Sequence, residues 1–334
     1  MKRVKRLFAC LLALTMMLGL SATAFAAEQA ETTPTDQETV TIKKVYKLVG
    51  DGTSPAETFT LEQVGNGIVK DGEAESAPAL GTITGAAFAV GAAAASGKTG
   101  DITIALPEYT HVGVYEYILK EVAGTTAGVT YYGENIKLVV TVVNGENGNL
   151  RIAAVHTEAE DGDKSDTFEN TYSAGTLNVS KTVTGNLGDK SKYFEFKVKL
   201  TGEAGKTYGK SYEVTGGSNA ANPKTIKIGE ETTFLLRDGE TISIANLPYG
   251  VTYAVTETKV DDYKTKVNGT EGNTVTEQKI SSAAQNVAFE NNKNKESGDI
   301  DTGVYLDNLP YILVFAGVLA IAVVFAVRRR RFED

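Results

Sequence analysis

The sequence predicts an all-β protein: two tandem immunoglobulin-like β-sandwich domains, preceded by a signal peptide and followed by a single C-terminal transmembrane helix. Three observations carry this. Short stretches of alternating apolar and polar residues recur from about residue 38 to 291, separated by turns rich in Gly and Asn, with no long helical periodicity among them. The layout of the first half recurs in the second, and each half closes on Phe-Glu-Asn, at 168–170 and 289–291. Finally, an uncharged apolar run lies near each end of the chain.

At the amino end, Lys2, Arg3, Lys5 and Arg6 precede the apolar run Leu7 to Leu20, and Ala24 to Ala26 read Ala-Phe-Ala. A basic head, a short apolar run and a small-x-small site define a secretory signal peptide, residues 1–26. Cys10 lies inside the apolar run rather than after it, which argues against a lipoprotein anchor. Residues 27–37, AEQAETTPTDQ, are too polar to bury and read as a disordered lead-in.

Residues 38–173 form the first expected domain. ETVTIKKVYKL, GDITIALP and GVYEYILKEV read as strands, and NIKLVVTVVNGENGNLRIAAVHT as a hairpin signalled by Asn-Gly. The alanine-rich stretch 85–100 reads as strand plus loop, because its glycines and β-branched flanks disfavour a helix. The second domain, 174–296, repeats the pattern in GTLNVSKTVTG, YFEFKVKLTG, TTFLLRDGETISIANLP, GVTYAVTETKV and NVAFEN.

The remainder, 297–334, opens with GDIDTGVYLD at 298–307. The apolar run 309–327 follows, about 28 Å long as a helix at ~1.5 Å per residue, close to a hydrocarbon core of about 30 Å. Arg328 to Arg331 then hold this end in the cytoplasm by the positive-inside rule. A permanent single-span protein would carry the same apolar run and basic tail.

The chain has 33 basic and 42 acidic residues. The leader 1–26 holds four basic residues, and 303–334 holds four basic and three acidic ones, so 25 and 39 lie in 27–302, a net charge of −14. Such a surface disfavours nucleic acid and anionic membrane. The single cysteine lies in the leader, so this exported protein has no disulfides although its compartment permits them. With two histidines, His111 and His156, a Cys/His zinc site is excluded by count. DGDKSD at 161–166 lacks the later glycine and glutamate of a calcium loop and reads as a solvated turn. No phosphate-binding or dinucleotide fingerprint is present, and no metal or cofactor is expected.

Alternate residues of a strand share a face. Val40, Ile42 and Lys44 therefore face one way, as do Leu177, Val179 and Lys181. Tyr117, Leu119 and Glu121 share a face, as do Tyr253, Val255 and Glu257, while Phe168 sides with Asn170 and Phe289 with Asn291. Each half thus offers Lys, Glu and Asn in that order at apolar positions, with Lys-to-Glu separations of 77 and 76 residues. A single such lysine or glutamate is most simply a strand-end side chain whose head reaches water, and next a buried ion pair. The repeated trio adds a carboxamide, an electrophile that an ion pair does not need.

These features resemble the sortase-assembled major pilins of Gram-positive bacteria, with two pilin isopeptide-linkage (CnaB-like) domains of immunoglobulin type. The likeness rests on TLNVSKTVTGNLGDKSKYFEF, GETISIANLPYGVTYAVTET and the two Phe-Glu-Asn endings. It implies intramolecular Lys44–Asn170 and Lys181–Asn291 amide bonds, with Glu121 and Glu257 as proton relays for a single-turnover self-modification rather than enzymatic turnover. The first half departs at Lys120-Glu121, where the second has Thr256-Glu257. In an apolar core, lysine tends to lose its proton and glutamate to keep one, which suits that chemistry. The resemblance also reads 298–303 as a sorting motif cut between Thr302 and Gly303, although Asp299 and Ile300 replace the family's usual Leu and Pro.

The implied partners are a pilin-type sortase, identical subunits in a head-to-tail polymer, minor pilins and a host-surface ligand. Lys164 is the candidate acceptor lysine, because it precedes Asn170 by about the interval seen in that family; the Tyr-Pro-Lys motif of other pilins is absent. The expected location is the cell wall, with transient anchoring by the C-terminal helix. The alternative is a wall-anchored adhesin that never polymerises. A secreted hydrolase would need a carboxylate pair in a cleft, which no spacing here suggests.

Overall fold

The computed structural model describes residues 37–295. The leader, most of the lead-in, the Thr302–Gly303 bond and the 309–327 run lie outside the described residues. Within them are 22 strands and one 3-10 turn, and no helix is long and apolar enough to cross a membrane.

Alternation works as the sequence indicates. Ile42, Lys44 and Tyr46 of strand Thr39–Gly50 are buried while their neighbours are not. Two hydrophobic clusters result. One gathers Ile42, Tyr46, Phe59, Tyr117, Leu119, Leu138 and further residues up to Ala174. The other gathers Leu177, Val179, Phe196, Val198, Val255 and Phe289 with their neighbours.

An 11-stranded sheet supplies one wall to both clusters. Its central run places Thr241–Pro248, Thr167–Thr184, Thr39–Gly50 and Lys98–Ala105 side by side. A five-stranded sheet containing Gly113–Glu121 and Ile136–Asn144 completes the first sandwich. A four-stranded sheet containing Phe194–Thr201 and Thr252–Glu257 completes the second.

The seam between the two halves is one unbroken 18-residue strand, Thr167–Thr184. Phe168, Asn170, Tyr172 and Ala174 are buried on even numbers; Gly175, Leu177, Val179, Lys181 and Val183 are buried on odd ones. The parity changes where pairing with Thr241–Pro248 slips, between Gly175 and Leu177. A bulge shifts the strand's facing by one residue, so a single strand lines both cores. Glycine is needed there, because a Cβ on Gly175 would lie 2.1 Å from the Ser282 carbonyl oxygen.

Two local expectations resolve in detail. The hairpin is present, but Asn144 pairs with Leu150, so the turn runs through Gly145 to Asn149 rather than a two-residue Asn-Gly. The left-handed residue is Gly148, at φ 78°. The alanine-rich stretch forms strand Ala86–Phe88 and a loop, with Gly91 and Gly97 at φ 75° and 83°.

Asn246 ties the two sandwiches together. Its Oδ1 accepts from the Thr53 N–H at 2.9 Å and the Tyr172 hydroxyl at 3.1 Å, while its Nδ2 donates to the Thr53 carbonyl at 3.0 Å. It holds these bonds from a left-handed backbone, φ 58°. Beside it, the Thr207 N–H donates to Thr125 O at 2.8 Å, and the Ala127 N–H donates to Thr207 O at 2.9 Å.

Candidate self-crosslinking sites

Each site is assembled from three strands. In the first sandwich, Thr39–Gly50 runs parallel to Thr167–Thr184, pairing Lys44 with Phe168 and Tyr46 with Asn170. In the second, Thr167–Thr184 runs parallel to Ala284–Asn292, pairing Lys181 with Phe289 and Val183 with Asn291. Both asparagines therefore lie two residues beyond the lysine's partner, on the lysine's face. Glu121 and Glu257 arrive from the opposing sheets, at the ends of Gly113–Glu121 and Thr252–Glu257.

All six side chains are buried: Lys44, Asn170, Lys181 and Glu257 are 1 % exposed, Glu121 4 % and Asn291 0 %. The Lys44 ammonium nitrogen contacts Glu121 Oε2, and Asn170 Nδ2 donates to Glu121 Oε1. In the second site Lys181 Nζ reaches both Glu257 oxygens, at 2.9 and 2.8 Å, and Asn291 Nδ2 donates to Glu257 Oε1. One carboxyl group thus touches the amine and the carboxamide nitrogen at each site.

Aromatic rings complete the enclosure. Lys44 Nζ lies 5.6 Å from the ring centres of both Phe59 and Tyr132. Lys181 Nζ lies 4.3 Å from Phe194 and 5.7 Å from Phe196. Sequence reasoning did not single out these rings, although Phe194 and Phe196 stand at alternate positions of YFEFKVKL. Burial lowers the Lys44 pKa against the pull of Glu121. It lowers Lys181 to about 8 and raises Glu257, each against the attraction of the other. Desolvation wins because both charged forms lose water that the pair only partly replaces. At the second site burial thus moves both groups toward neutrality, the form in which an amine is nucleophilic and an acid can donate to a leaving nitrogen.

The two asparagine carbonyls differ. Asn170 Oδ1 accepts from the backbone N–H of Tyr132 at 2.8 Å. Asn291 Oδ1 is buried without a partner. Nothing in the sequence pattern marked Tyr132, because its contribution is a backbone group.

The other candidate residues lie elsewhere. Lys164 is exposed, in the turn after strand Leu150–Glu158, and forms an isolated bridge with Glu158. In the 161–166 turn the Asp163 N–H donates to Asp161 Oδ1 at 3.2 Å, and no group of potential metal ligands occurs among the described residues. Thr302 and Gly303 fall outside the described residues.

Comparison with known proteins agrees with this architecture. Residues 40–173 match the family described as a Spy0128-like isopeptide containing domain, and residues 175–293 match a domain of unknown function, DUF7601. A pilin of Streptococcus pyogenes serotype M1 is 30 % identical over 245 residues, covering 67 % of this chain and 69 % of the relative. The pilus tip adhesin Cpa of Streptococcus pyogenes is 37 % identical over 118 residues, 35 % of this chain but 16 % of the adhesin. The crystal structure of the major pilin from Streptococcus pyogenes superposes with a TM-score of 0.50 at 24 % identity, covering 78 % of this chain and all of that one, which shows a shared fold. With a pilin relative aligned over two thirds of both chains, this protein belongs to the family of Gram-positive sortase-assembled major pilins.

Proposed function

We propose that this chain is a pilus shaft subunit whose two sandwiches, 38–173 and 174–296, are each closed by a self-formed Lys–Asn amide bond: Lys44–Asn170 and Lys181–Asn291. The observation that carries the reading is the pair of buried Lys–Glu–Asn trios, each linking the first strand of a sandwich to its last. The lysine amine attacks the asparagine carbonyl carbon, and ammonia leaves. The glutamic acid takes the proton the amine loses and returns one to the departing nitrogen, so it ends as it began. Holding amine and amide together supplies an advantage of roughly 7–11 kcal/mol in favourable intramolecular cases. No metal or cofactor is required, and the chain is not a turnover enzyme.

On this reading residues 1–26 direct export and 297–334 form the sorting signal. A pilin-type sortase cleaves between Thr302 and Gly303 and joins the threonine to Lys164 of an identical subunit. The polymer stands on the wall of a Gram-positive cell, carries minor pilins such as a tip adhesin, and presents a surface to a host ligand. The adhesin match favours a second reading, a wall-anchored module that stays monomeric, but it covers about one domain whereas the pilin match spans both.

The test is the intact mass of residues 27–302 with sequencing of cross-linked peptides. A deficit of two ammonia molecules at Lys44–Asn170 and Lys181–Asn291 supports the reading; an unmodified mass defeats it. A ladder of covalent multimers in wall extracts separates the shaft from the monomeric adhesin.

A further inference from the structure

The two trios match in residue type, strand register and burial, yet their carbonyls do not. Asn170 Oδ1 receives the Tyr132 N–H at 2.8 Å, and Asn291 Oδ1 receives nothing. The donor is held independently of the reacting groups. Tyr132 follows strand Val129–Thr130, which pairs with Thr171 and Tyr172, the two residues after Asn170. Its ring packs on Phe168 at 5.0 Å between centroids. The N–H is therefore anchored to the strand that carries its acceptor, on both sides of Asn170. In the second site the neighbouring strand Lys264–Val267 pairs Thr265 with Asn291 in the backbone ladder, and no donor reaches the side-chain oxygen.

We propose that the backbone N–H of Tyr132 is an oxyanion donor for closure of the Lys44–Asn170 bond, and that the second site closes without one. This rests on the self-crosslinking reading above and assigns a group that it does not require. As the Lys44 nitrogen bonds to Asn170 Cγ, the carbonyl electron pair moves onto Oδ1, where the Tyr132 hydrogen already points. When the tetrahedral centre collapses, Nδ2 leaves as ammonia with the proton relayed from Lys44 through Glu121, and the carbonyl re-forms. A donor preplaced at 2.7–3.1 Å costs no reorganisation as charge develops, and removal of one such donor slows acyl chemistry by about 10²–10³-fold.

The experiment replaces Tyr132 in the full chain by its α-hydroxy acid during cell-free synthesis, turning the amide into an ester and deleting that hydrogen alone. Accumulation of each cross-linked peptide is followed by timed quenching and mass spectrometry. Slowing of Lys44–Asn170 closure by about 10²-fold, with Lys181–Asn291 unchanged as the internal reference, is expected. Unchanged closure of the first bond, or equal slowing of both, overturns the proposal. Tyr132→Phe keeps both the N–H and the ring; it is expected to close at the rate of the unsubstituted chain, and slowing equal to that of the ester would also overturn it. If the unsubstituted chain forms neither bond, the functional reading fails, which is a different result from either of these.

Discussion

Asn291 lies beside Val183, two residues past Lys181 on a parallel neighbouring strand, and the same offset separates Asn170 from Lys44. Parallel pairing of a domain's first and last strands brings the two side chains onto one face at adjacent positions. An antiparallel pair would carry the following strand residues in opposite directions, so force applied along one strand would not pass in line to the other. A covalent link at this offset takes up tension before the remaining strands are loaded.

Removing the electrophile tests that link. Asn291→Ala should leave the Lys44–Asn170 deficit in place and abolish the second. For a closed loop of ~100 residues the chain-entropy model puts the lost stabilisation at up to about 4.7 kcal/mol. Guanidinium melts of the variant beside the parent check the size, and intact mass checks the site.

The carboxyl group should be needed for chemistry rather than for holding the strands. Glu257→Gln keeps a hydrogen-bonding group of similar shape but cannot cycle a proton. The strand register should persist by amide hydrogen exchange while the Lys181–Asn291 peptide fails to appear. Rapid formation of that bond in the variant would remove Glu257 from the mechanism.

Uncrosslinked Asn291→Ala exposes the titration of the buried pair. The folded pKa of Lys181 is lowered from 10.5 to about 8, so between these values the unfolded chain binds more protons and this group's contribution to stability rises with pH. Glu257 has a raised folded pKa, so the folded chain holds the extra proton above 4.5, and its contribution falls as pH rises through that window. Denaturant midpoints measured from pH 4 to 10 should fall through mildly acidic pH in this variant and recover above about 8, whereas Lys181→Met, Asn291→Ala should keep the fall and lack the recovery.

Asn246 should act as the latch between the sandwiches. Asn246→Gly tolerates the left-handed backbone and loses only the three side-chain bonds, whereas Asn246→Ala adds a conformational penalty of roughly 1–2 kcal/mol. Faster exchange of the Thr53 amide is expected in both variants, with the alanine form less stable than the glycine form. Equal stability of the two would show that the φ of 58° is not enforced by the fold.

Lys164→Arg preserves charge in the exposed turn and removes the primary amine. If Lys164 is the acceptor, the multimer ladder should collapse to monomer in cells carrying the variant, with both internal ammonia deficits retained. An intact ladder would assign the acceptor to another lysine.

Much of this molecule was legible in the sequence because strand facing is a local property. The period of two put Lys44, Glu121 and Asn170 on apolar faces, and Lys181, Glu257 and Asn291 likewise, without knowledge of any partner strand. Even the bulge left a trace: the inward set passes from even to odd numbers at Gly175. What the tertiary structure decided is non-local or belongs to the backbone. Parallel register placed each asparagine two residues past its lysine's partner, sheet packing delivered each glutamate from the opposite wall, and a continuous strand fused what alternation alone read as two segments. The Asn246 latch and the Tyr132 N–H depend on where distant main-chain groups come to rest. Side-chain periodicity carries no information about them, because every residue but proline offers the same N–H and its partner is chosen only when the sheets close.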